Sequence, residues 1–163
     1  MTGTICPVEL STSITDVISN LVGIKELYPS QFQILEAIFA HDNIFYTGST
    51  NSGKTLPTII YPEVLKKLNE YGHKFPASPK VLFVTALNSL QLSLLNNTKS
   101  IGLSGEILTC QNASELLKTD ISVLFVSAET LKLPNVTRLL LENRHSFVLK
   151  VVDEAHLGRA TYS

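Results

Sequence analysis

Gly48-Ser49-Thr50-Asn51-Ser52-Gly53-Lys54-Thr55 sets two glycines, a lysine and a hydroxyl side chain at the spacing G-x-x-x-x-G-K-[ST]. A loop of this composition turns back on itself, so that successive backbone N–H groups point inward and form a nest for an anion. The positive end of a following helix adds to the grip. The glycines allow close backbone approach and the dihedrals it needs. Lys54 is then placed to reach terminal phosphates, and Thr55 to offer its hydroxyl to Mg²⁺. About a hundred residues on, Asp153-Glu154-Ala155-His156 follows the apolar run Phe147 to Val152. Carboxylates at the carboxyl end of a buried strand stand on the edge where open α/β sheets bind ligands. Asp153 suits Mg²⁺, held through water. Glu154 suits polarisation of an attacking water, and His156 could couple the nucleotide state to another surface. A Gly/Ser turn and an acidic helix start would each explain one motif. Together, with strand before and helix after, they point to nucleoside triphosphate hydrolysis.

Those residues need elements to carry them. Thr12 or Ser13 can cap a helix through about Leu21, with Ile14, Val17, Ile18 and Leu21 on one face, ended by Gly23. Pro29 and Ser30 start a second helix carrying Phe32, Leu35, Ile38 and Phe39. Ile44 to Tyr46 reads as a strand leading into the glycine loop, and a helix should open near Gly53. Pro57 is tolerable at a helix start, whereas Pro62 marks a kink or a stop. Tyr71 to Lys80 is polar and proline-bearing, hence a loop. Val81 to Ala86, Val123 to Val126 and Phe147 to Val152 are strand candidates, and helices are expected at Leu90 to Leu95, Ser114 to Lys118 and Val136 to Asn143. Strands apolar on both faces, separated by helices, predict a parallel sheet covered on both sides.

Composition excludes several other classes. The 163 residues are 44% hydrophobic and 17% charged, enough apolar material for a core and too little charge for a disordered chain. A net charge of −1 leaves no global footprint for nucleic acid, so polynucleotide contacts would have to be local. Cys6 and Cys110 stand apart, with no Cys/His cluster, and suggest neither a zinc site nor a disulfide framework. The N-terminus lacks a basic start and an apolar stretch, and no run approaches the roughly 18 residues of a membrane span. An intracellular, soluble protein without membrane contact is expected.

With the phosphate loop and DEAH sequence in place, the chain resembles a superfamily-two DEAD/DEAH-box helicase. It is most similar to the first RecA-like domain of RecQ-type DNA helicases. Leu27-Tyr28-Pro29-Ser30-Gln31 resembles the family's Q motif, and Gln31 precedes Lys54 by 23 residues, the family's usual separation. Val81 to Leu90 is similar to the motif that runs from strand to helix along the nucleic-acid strand, and Val123 to Leu131 to the segment written "YxxPERL". The resemblance implies ATP and Mg²⁺ as cofactors, with Gln31 reading the adenine edge. It implies nucleic acid as partner, DNA favoured over RNA, contacted by Asn88, Ser89 and Glu129. It also implies 3'–5' unwinding by the parent protein and a nuclear location in a eukaryote.

Departures accompany the resemblance. Val22 stands where RecQ-type enzymes stack an aromatic residue on adenine, and Tyr28 stands where they have arginine, which makes Tyr28 a candidate stacking face. Ala128 and Thr130 replace the proline and arginine of "PERL", and no aromatic-rich loop follows DEAH. The fold implied is a partial RecA-like P-loop α/β domain, a mainly parallel sheet flanked by helices, truncated after DEAH. It has a helical lead-in over 1–26 and the incomplete ATP-binding domain over 27–163. The Ser-Ala-Thr strand expected between the phosphate-loop and DEAH strands is missing, so strands 44–46 and 147–152 should each expose an edge. Such a chain is expected to fold poorly by itself or to be a fragment without activity. A regulatory nucleotide-binding module and a fragment of an RNA helicase are the alternatives. A phosphate-loop GTPase is disfavoured by the lack of an N-K-x-D signature.

Overall fold

The computed structural model describes residues 4–40, 43, 53–86 and 88–152. The strand expected at 44–46, most of the glycine loop and the DEAH segment lie outside those residues.

Among the described residues the chain begins with helix α1 (Pro7–Ser19), helix α2 (Pro29–Ala40) and helix α3 (Thr55–Asn69). Strand β1 (Lys80–Thr85), helix α4 (Asn88–Ser100) and strand β2 (Gly105–Ile107) follow. Helix α5 (Ala113–Leu116), strand β3 (Val123–Ser127), helices α6 (Ala128–Leu131) and α7 (Pro134–Glu142), and strand β4 (Phe147–Val152) complete it. The sheet runs in the order β2-β3-β1-β4, with every neighbouring pair parallel. Apolar side chains fill both faces. One core joins α1, α2 and α3 to Phe83, Val123 and Phe125; the other joins Leu82, Leu124 and Val126 to Leu108, Ala113, Leu117 and Val136. The Phe83 and Phe125 rings meet at 5.6 Å across β1 and β3. This is the helix-flanked, parallel α/β sheet that the uninterrupted apolar runs predict, consistent with a partial RecA-like domain.

Several boundaries differ from expectation, each for a physical reason. Helix α1 starts at Pro7 with Cys6 as N-cap, not at Thr12 or Ser13, and closes at Asn20. Proline at the first helical position presets φ where no amide partner is needed, so Ser13 ends up buried mid-helix instead of capping it. Helix α3 runs on through Pro62. Breaking a helix at an internal proline would avoid about 3 kcal/mol of strain, but α3 fully buries Ile60, Val64, Leu65 and Leu68. At about 1.5–3 kcal/mol per buried aliphatic side chain, packing outweighs the break. Helix α4 extends past Leu95 to Ser100, and the turn after it uses Gly102 at φ 95°. Strand β4 is the outer strand of the described sheet beside β1, with Lys150 and Val152 exposed.

Candidate functional site

Helix α3 sets the orientation of the site. Glu63, beyond its midpoint, accepts a 2.6 Å hydrogen bond from Ser122, the residue before β3. Lys66, one turn on, lies 3.3 Å from Asp120. The C-terminal half of α3 therefore sits over the strand beginnings. A 15-residue helix spans about 22 Å, about the length of these strands, so Lys54 and Thr55 stand at the carboxyl end of the sheet. Strand β4, which leads into Asp153, ends at Val152 on that same rim, since the sheet is parallel.

Tyr28 and Gln31 join them through the start of α2. Pro29 occupies the first helical position and Gln31 the third. Glutamine at the third position can reach back to the N-cap amide, and the Tyr28 N–H does donate to Gln31 Oε1 at 2.9 Å. The other end of the same carboxamide donates from Nε2 to the Gly53 carbonyl at 3.0 Å. Gly53 has φ 68°, in the left-handed region that favours glycine, and a Cβ there would displace the Gln31 amide end. The Gly53 carbonyl also accepts from Leu56 N at 3.3 Å, in the first turn of α3. One backbone turn thus ties the end of the glycine loop to both helices. Tyr28 is exposed beside it. Val22 is bound elsewhere, its N–H donating at 3.0 Å to Ile101 O just beyond the C-terminal end of α4. That end of α4 faces the strand beginnings, because α4 starts just after the carboxyl end of β1.

The candidates for nucleic-acid contact also reach the carboxyl rim. Thr85 and Ser127 are paired in register at the ends of β1 and β3. Asn88 and Ser89 open α4 just beyond Thr85, and Glu129 lies in the first turn of α6 just beyond Ser127; all three are exposed. Ser127 caps α6, accepting from Thr130 N at 3.1 Å and donating to Thr130 Oγ1 at 2.9 Å. Two polar atoms at this rim, Thr85 Oγ1 and Gln91 Nε2, are buried without a hydrogen-bond partner among the described residues. Gly48, Ser49, Thr50, Asn51, Ser52, Asp153, Glu154 and His156 lie outside the described residues. Among the described residues no group of three His, Cys, Asp or Glu side chains could hold a metal. No helix among them is long and apolar enough to cross a membrane.

Sequence reasoning missed the polar cluster at the opposite end of the sheet. Lys80, assigned to a loop, is 1% exposed at the start of β1. Its ammonium donates to Thr119 O, to Ile121 O at 3.1 Å and to Ser78 Oγ at 3.5 Å. Burial lowers its pKa, partly opposed by the Asp120 carboxylate. Asp120 in turn is held below the usual carboxylate range, first by the Ser78 hydroxyl at 2.8 Å and then by Lys66.

A parallel sheet between two helical layers, with a glycine turn and helix start at its carboxyl edge, defines a partial RecA-like domain. Residues 24–163 match the family described as "Type III restriction enzyme, res subunit", and the chain belongs to that family. The family's domain is a superfamily-two helicase-like N-terminal domain, of a class that depends on ATP and binds nucleic acid. No curated protein matches the chain.

Proposed function

We propose that this chain is the ATP- and nucleic-acid-binding part of an ATP-dependent DNA helicase of RecQ-like type. Gly48 to Thr55 hold the triphosphate, with Lys54 on its terminal phosphates. Thr55 and Asp153 hold Mg²⁺, which when bound neutralises charge on the phosphate oxygens. Glu154 orients the attacking water and His156 couples the site to the rest of the molecule. Tyr28 and Gln31 complete the nucleotide side, with Tyr28 in place of the missing aromatic at Val22. Asn88, Ser89 and Glu129 line the nucleic-acid side.

The observation that carries this reading is the convergence on one rim of Lys54, Thr55, Tyr28 and Gln31 with the end of the strand that precedes Asp153. The opposite arrangement, Lys54 at the far end of the sheet from Val152, would have removed any common pocket. Titration of the full-length protein with ATP and Mg²⁺ tests it. Lys54→Ala should weaken ATP binding by at least tenfold, about 1.4 kcal/mol, and equal binding overturns the assignment. DNA should stimulate the ATPase more than RNA does; the reverse favours an RNA helicase.

A further inference from the structure

We draw no further inference here: the strongest candidate, the cleft of about 530 Å³ at the strand beginnings between the end of α1, the last turns of α3 and the turn after α4, has its Lys66 and Lys67 already paired with its own Glu63, Asp120 and Glu70, and nothing in the structure shows what would occupy it.

Discussion

The two ends of the sheet are built on opposite principles. At the strand beginnings, polar groups close on one another. Lys80 donates to two carbonyls, Ser78 bridges to Asp120, Lys66 lies between Asp120 and Glu63, and Ser122 donates to Glu63. At the strand ends, Thr85 and Gln91 keep buried polar atoms without partners among the described residues, and the described residues just beyond are exposed. Buried polar groups are nearly always paired, and an orphan is destabilising by about 1–3 kcal/mol. Ser13 Oγ, on the helix packed against α3, is a third such atom, so the contrast concerns the ends of the strands and not the whole of each layer. Open α/β sheets bind their ligands at the carboxyl ends of the strands for a related reason, since the helix starts and their free amides gather there.

Three measurements can break or sharpen that contrast. The largest effect is expected from Lys80→Met, which keeps the buried stem but orphans the Thr119 and Ile121 carbonyls. Chemical denaturation of the full-length protein should show a loss of about 3 kcal/mol, with ATP affinity per folded molecule unchanged. A fall in affinity at constant stability would mean that the strand beginnings also serve the site. Thr85→Val comes next. Removing an unpartnered hydroxyl of nearly equal volume should leave stability unchanged or raise it by about 0.5–1 kcal/mol. A loss above about 1 kcal/mol would show that Thr85 Oγ1 is satisfied in solution and that the carboxyl rim has no spare capacity there.

The smallest effect concerns acid. The folded-state pKa of Asp120 lies below its unfolded value, the Ser78 hydroxyl being the main cause. Its contribution is therefore complete above about pH 3.9 and disappears as pH falls through the lower, folded value. Asp120→Asn should lower stability slightly above that window and converge with the wild type below it, flattening the acid limb; the difference stays small because the side chain is 70% exposed. An equal acid limb in both proteins would show that the Ser78–Asp120–Lys66 cluster is incidental.

Much of the architecture was legible because its strands are dense apolar runs. Val81 to Ala86, Val123 to Val126 and Phe147 to Val152 correspond closely to β1, β3 and β4. Strand β2 was not, because three residues beginning with glycine carry no periodicity, and its Gly105 lies against Leu95, Thr98 and Phe125 only once the sheet has formed. Pro62 misled for the same reason, since the burial that holds α3 together is a tertiary quantity. At the candidate site, the spacing from Gln31 to Lys54 could be read, whereas the bond from Gln31 to Gly53 could not. The local signal Tyr28-Pro29-Ser30-Gln31, a glutamine at the third position of a helix begun by proline, does foretell the link to the Tyr28 amide. Lys80 escaped notice because a lysine before a strand is ordinarily solvated. Only the carbonyls contributed by 119 and 121, far along the chain, make its burial tolerable.

Strand β4 alternates in a way that bears on how copies of this protein meet one another. Lys150 and Val152 fall on the face that Leu82 shares through its pairing with Lys150, and both are exposed where the remainder of Phe147–Val152 is partly covered. A single ammonium group in the middle of an otherwise apolar six-residue strand makes stacking of that strand against a copy of itself electrostatically unfavourable. Among the described residues, Lys150 thus makes β4 less adhesive than an uninterrupted apolar strand would be.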